Sequence, residues 1–179
     1  MKKCSCRRHL FAIAAFFLIF PLLFKRRPRV MRRTVINAKP SDIFPLINDP
    51  RQWPLWTEWN RREQIEYSYE GSTVGAGAVQ NWRAAKQRGK VTFLSSVENE
   101  RVAYHLSLEG CGRDIEGRIV LEPVGKKATR VTWYSLWSQA SNPYACYIDL
   151  MIIFSMKRDF AAGLRHLKEL AEFNPQSQA

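Results

Sequence analysis

Tyr144 to Phe173 reads YACYIDLMIIFSMKRDFAAGLRHLKELAEF. Ile148, Ile152, Met156, Phe160, Leu164, Leu167 and Ala171 recur at steps of three and four residues. That spacing predicts one long helix with a single buried face. Its first half, Tyr147 to Phe154, is apolar nearly all round apart from Asp149. Gly163 costs about 1 kcal/mol in a helix interior, which a close approach to a sheet would explain. Asn174-Pro175 stops the helix, and positions 174–179 read as a disordered tail.

Upstream of this helix the period changes from helical to two. In Arg101 to Glu109, Val102, Tyr104, Leu106 and Leu108 face one way, and Ala103, His105, Ser107 and Glu109 face the other. Ile115, Ile119 and Leu121 line one side of the next run, with Gly117 between them, and Val131, Trp133, Ser135 and Trp137 line one side of the last. Glu63–Glu70, Ala78–Ala84 and Gly89–Val97 precede these as further strands. Turns fall at Glu70-Gly71-Ser72, Val74 to Gly77 and Val124 to Lys127. Sequential strands with short turns give an antiparallel sheet with one wet face. Before the meander, Arg33 to Asn37 reads as a short strand. A short helix capped by Ser41 follows, with Asp42 in its first turn; Pro45 is tolerable only within that turn. Asn48-Asp49-Pro50 ends it, and Arg51 to Trp56 forms a second. The order is strand, two short helices, six-stranded meander, long helix. Laying that helix across a strongly bent sheet is the simplest α+β packing, and it leaves an apolar hollow near the early helices.

The formal charge is +12, which at first suggests nucleic acid. Residues 1–33, however, hold ten basic side chains and no acid; beyond them 18 basic residues face 16 acidic ones, a net of +2. A nucleic-acid binder carries its basic residues on a folded face. Here they flank Leu10 to Phe24 (LFAIAAFFLIFPLLF), fifteen residues without a charge. As a helix this run is about 22 Å long, short against a hydrocarbon core of about 30 Å, although Arg8 and Lys25 can snorkel to extend it. No small-residue cleavage site follows, so the run reads as an uncleaved transmembrane anchor. A cleaved signal peptide and an in-plane helix are the alternatives. The expected division is an anchor over 1–32, a ligand-binding domain over 33–173 and the tail. The expected location is a single-pass placement in a bacterial inner membrane. Six basic residues after the run against four before it lean toward a cytoplasmic domain, and the usual fate of signal-anchors leans the other way. Cys4, Cys6, Cys111 and Cys146 have no zinc-site spacing and read as free thiols; a C-x-C metal or lipidation site at Cys4/Cys6 is the alternative.

The chain resembles the START/Bet v 1-like (SRPBCC) superfamily, specifically bacterial polyketide cyclase/dehydrase-like proteins, over about Arg33 to Glu172. The carrying segments are Val35-Ile36-Asn37-Ala38 with Pro40, Ile43-Phe44 to Asp49, Trp53-Pro54-Leu55-Trp56-Thr57-Glu58-Trp59, Gly117 to Pro123, Thr129 to Trp133, and Asp159 to Leu164 with Leu167-Lys168. The resemblance implies the helix-grip fold: a bent antiparallel sheet of six to seven strands wrapped around the C-terminal helix. Members with a short N-terminal anchor fit the reading of Leu10 to Phe24. Members include ligand carriers, stress proteins and a few cyclases, and no shared catalytic motif maps onto this chain.

The expected role is therefore to bind or transfer a hydrophobic small molecule (lipid, isoprenoid or polyketide-like) at a membrane, with no cofactor. The residues expected around the cavity are Trp53, Trp56, Trp59, Trp82, Trp133 and Trp137, with Tyr104, Leu106, Ile152 and Met156. Aromatic side chains of this number also serve simply as core. Gln80, Arg83, Asp114 and Glu116 are the other polar candidates. A cyclase, dehydratase or hydrolase would need Glu58 or His105 inside the cavity as acid or base. Solvated positions, or an arginine partner for Glu58, are the plainer reading of both. His9 and His166 read as structural or incidental, and no histidine has metal-ligand spacing. A third possibility is an interaction protein that docks through Tyr147–Phe154.

Overall fold

The computed structural model describes residues 28–62, 64–110, 114–138 and 145–173. Seven antiparallel strands form one sheet: β1 (Arg29–Ile36), β2 (Glu66–Gly71), β3 (Ala78–Arg83), β4 (Arg88–Val97), β5 (Arg101–Leu108), β6 (Asp114–Val124) and β7 (Ala128–Trp137). Their spatial order is β1-β7-β6-β5-β4-β3-β2. The meander β2 to β7 is paired hairpin by hairpin, and β1 closes onto β7 from Arg29↔Leu136 to Ile36↔Thr129. The helices are α1 (Pro40–Asn48), α2 (Trp53–Trp56), α3 (Trp59–Arg62) and α4 (Ala145–Glu172).

The alternation in β5 and β7 resolves as expected. Val102, Tyr104 and Leu106 are buried on the inner face, as are Val131, Trp133, Ser135 and Trp137. Glu116, Arg118 and Arg130 are exposed on the outer one. Glycine lets the sheet and its aromatics approach. A Cβ on Gly117 would overlap the ring of Tyr104, its β5 partner, and one on Gly89 would meet the Trp82 indole at 2.5 Å. A register shift between Phe93 and Ser95 marks a bulge in β4, a device that bends a strand.

Several local expectations are corrected. β1 begins at Arg29, not Arg33. It is an edge strand with arginines at exposed positions, so its charge hid a strand fixed by pairing with β7. Helix α1 starts at Pro40 after Lys39, whose N–H donates to Asp42 Oδ2 (3.2 Å), so Ser41 is not the cap. Proline suits the first helical position because its missing N–H needs no partner there. Pro45 lies beyond the first turn, yet the helix runs on to Asn48. Three short helices follow β1 rather than two, because Trp59–Arg62 forms its own turn. The run 10–24 and the tail 174–179 lie outside the described residues. Among those described, no helix is long and apolar enough to cross a membrane.

Helix α4 lies along the inner face, and its second half is part of the core: Phe160, Leu164, Leu167 and Ala171 pack with Ile36, Ile43, Ile119 and Val131. Gly163 faces Trp133 and the Trp56 carbonyl; a Cβ there would sit 3.1 Å and 3.5 Å from them, so the helix approaches β7 closely at this glycine. Helix and β1 run in the same direction. Arg32 Nε donates to the Lys157 carbonyl (3.2 Å), Lys168 Nζ to the Val35 carbonyl (3.0 Å), and the Asn37 N–H to Glu172 Oε1 (2.7 Å).

Candidate functional site

Two regions share the inner side of the sheet. One is filled by aromatic rings. Trp133 stacks on Phe160 at 3.9 Å with an interplanar angle of 5°. Trp56 meets Trp133 edge-on at 5.1 Å. Trp53 meets Tyr104 at 5.0 Å and Phe93 at 5.1 Å. Buried ring N–H groups need acceptors. The indole N–H of Trp53 donates to the Ile47 carbonyl and that of Trp56 to the Leu46 carbonyl, each at 3.0 Å, which fixes α2 against the end of α1. Trp133 Nε1 donates to the Tyr104 hydroxyl (2.7 Å), which lies 3.4 Å from Ser135 Oγ. Burial pushes the Tyr104 phenol up, and its bonds with Ser135 and Trp133 oppose that only in part.

The other region is open. Between β2–β6, the end of β7, the α2–α3 segment and the first half of α4 lies a cavity of about 340 Å³. Its sheet wall carries Tyr67, Gln80, Trp82, Val91, Leu106 and Leu108, with Ile115 and Trp137 at one side. Trp53, Thr57 and Trp59 close a second side, and Ile152, Ser155 and Met156 of α4 a third. No charged side chain stands among the described residues that line it. The polar atoms come from Thr57, Tyr67, Gln80, Gln87 and Ser155, together with indole N–H groups. Two of these groups are partly committed to the scaffold. Thr57 Oγ1 donates to the Trp53 carbonyl (2.8 Å), and Gln80 Nε2 to the Pro50 carbonyl (2.9 Å). Tyr67 is the titratable group of the wall. Burial first, and then neighbouring Tyr69, push its pKa up from 10.0 to about 12, so it is a hydrogen-bond donor at neutral pH and not a base.

The structure sorts the sequence candidates. Trp53, Trp59, Trp82, Leu106, Trp137, Ile152 and Met156 line the cavity. Trp56, Tyr104 and Trp133 do not; they form the packed aromatic cluster behind it. Gln80 lines the cavity, while Arg83 and Glu116 are exposed outside it. The side chain of Asp114 lies outside the described residues. Neither acid–base candidate reaches the hollow. His105 is on the outer face of β5, in register with Thr92 and Glu116. Glu58 turns to α4, where its Oε2 is 3.7 Å from His166 Nδ1, a buried nitrogen without a hydrogen-bond partner. Tyr67, Thr57, Gln87 and Ser155 were missed. For Tyr67 the signal was present: EYSYEG alternates, and tyrosine is its inward residue.

Residues 27–172 match the family described as polyketide cyclase/dehydrase and lipid transport, and the chain belongs to it. No curated protein matches by sequence. Solved structures share the fold. A Nitrosospira multiformis protein is 20% identical, with 85% of this chain and 100% of that one covered and a TM-score of 0.60. A norcoclaurine synthase point mutant from Thalictrum flavum, in complex with a transition-state analogue, is 13% identical, with 82% and 94% covered and a TM-score of 0.63. A Chromobacterium violaceum protein is 18% identical, with 82% and 99% covered and a TM-score of 0.56.

Proposed function

We propose that this domain binds and transfers an uncharged, hydrophobic small molecule, and that the basic-flanked run 10–24 holds it at a bilayer, where such molecules partition. The observation that carries the reading is the cavity of about 340 Å³ with no charged group among its described lining residues. Burying a carboxylate or phosphate there would leave it unpaired, at a cost of several kcal/mol. The volume is at the lower end of the roughly 300–1,000 Å³ of small-molecule sites. It suits one acyl or prenyl chain, or one fused-ring system, rather than a two-chain phospholipid. Tryptophan faces accept flat or flexible apolar guests alike, and Gln80, Thr57 and Tyr67 can hold one hydroxyl or carbonyl. Catalysis by Glu58 or His105 is disfavoured by their positions outside the cavity.

Native mass spectrometry of the full chain released from mild detergent tests the reading, with solvent extraction to identify any adduct. The expected result is a stoichiometric neutral adduct. The adduct should be lost in Leu106→Trp, which places an indole in the hollow. A chain that stays empty after incubation with isoprenoid alcohols, fatty alcohols and fused-ring phenols would overturn it.

A further inference from the structure

The first half of α4 has two apolar sides. One side, Ile152 and Met156, faces the cavity. The other carries Leu150, Met151 and Phe154, which are 59%, 76% and 74% exposed. An apolar stripe of this kind beside a cavity calls for an occupant, and the fold says which one lies within reach. Because β1 and α4 run in the same direction with Arg32 bonded to Lys157, the start of the strand is level with the start of the helix. Arg29 precedes Arg32 by three residues, about 10 Å of strand. The same distance is about seven residues of helix, which leads back from Lys157 to Leu150. Phe24, the last residue of the apolar run, is five residues before Arg29, so it lies within about 18 Å of Arg29 by chain length alone. The charges agree with a lipid surface. Arg29, Arg32 and Arg33 on β1 and Arg158 on α4 are exposed at this end, and Leu150 to Arg158 contains no acid.

We propose that Leu150, Met151 and Phe154 dock into an anionic lipid bilayer, so that the α4 wall of the cavity lies in the membrane interface. This rests on the reading of run 10–24 as a membrane segment, and it adds a second, peripheral contact made by the folded domain. Apolar side chains enter the headgroup boundary while the arginines meet lipid phosphates. A guest leaving past Ile152 and Met156 then passes into lipid and not into water.

The test uses the full chain reconstituted into vesicles of phosphatidylcholine and phosphatidylglycerol that contain a diazirine-tailed phosphatidylcholine. After photolysis, labelled peptides are mapped by mass spectrometry. The expected result is label on both run 10–24 and Leu150–Phe154. The triple variant Leu150→Ser/Met151→Ser/Phe154→Ser should lose the second label and keep the first, with an unchanged circular dichroism spectrum. An unlabelled α4 in a wild-type chain whose run 10–24 is labelled overturns the proposal and leaves the anchor standing. If a photoreactive amino acid placed at Met151 then joins two chains on photolysis, the face is an interface between copies instead. Label on α4 with run 10–24 unlabelled supports docking and removes the anchor. Adduct retention is read separately, so an empty cavity with a labelled α4 removes only the ligand reading.

Discussion

Single positions carry sharply different loads in this domain. Gly117 is irreplaceable on steric grounds, because any Cβ there overlaps the Tyr104 ring. Gly117→Ala should destabilise the fold by about 1–3 kcal/mol, the usual cost of overpacking a tight core, seen as a lower urea midpoint with an unchanged slope. Tyr67 reports on the cavity wall through its proton. Its folded pKa is about 12, against an ordinary 10.0. Between those values the unfolded chain releases a proton that the folded chain keeps. The stability contributed by this tyrosine is therefore fully present below pH 10 and is lost as pH rises through 12. Urea midpoints measured across that window should fall less steeply in Tyr67→Phe than in the parent. A Tyr67 phenolate that titrates at the ordinary value would contradict the buried wall.

At the scale of elements, α4 divides into two halves with different expected responses. In its core half, Leu164→Ala should cost about 2–5 kcal/mol, since Leu164 is buried against the sheet. In its first half, the serine triple variant of Leu150, Met151 and Phe154 should change stability by no more than about 0.5 kcal/mol per site. Equilibrium unfolding of the two variants distinguishes these outcomes directly. The second half of α4 and the inner faces of β5 and β7 were legible in sequence, because burial on one side only imposes a period. Two kinds of feature were not. β1 was hidden by its own arginines, since an edge strand exposed on one side tolerates charge that propensity reads as loop. The split between cavity wall and packed cluster was hidden as well. Tryptophans 53, 59, 82 and 137 line space while 56 and 133 fill it, and no local rule separates them. What sets the filling pair apart is packing with distant residues: Trp133 stacks on Phe160 and Trp56 meets Trp133 edge-on.

Over the whole molecule, an open sheet whose inner side is half packed and half hollow assigns stability and binding to different places. Ile152→Trp, at the α4 wall of the cavity, should abolish adduct formation in native mass spectra while leaving the unfolding midpoint close to that of the parent. A large fall in stability would mean that the hollow is itself needed for the fold. The wall between the two regions is Trp53, which lines the cavity on one side and abuts Phe93, Tyr104 and Trp56 on the other. Its indole cannot swing aside without giving up the bond to the Ile47 carbonyl. A straight-chain alcohol would therefore meet a rigid floor, and the domain would act as a molecular ruler. Each added methylene should strengthen binding by about 0.8 kcal/mol until the tip touches that indole. Beyond that length the added methylenes would lie outside the hollow, and affinity in detergent-free water would level off.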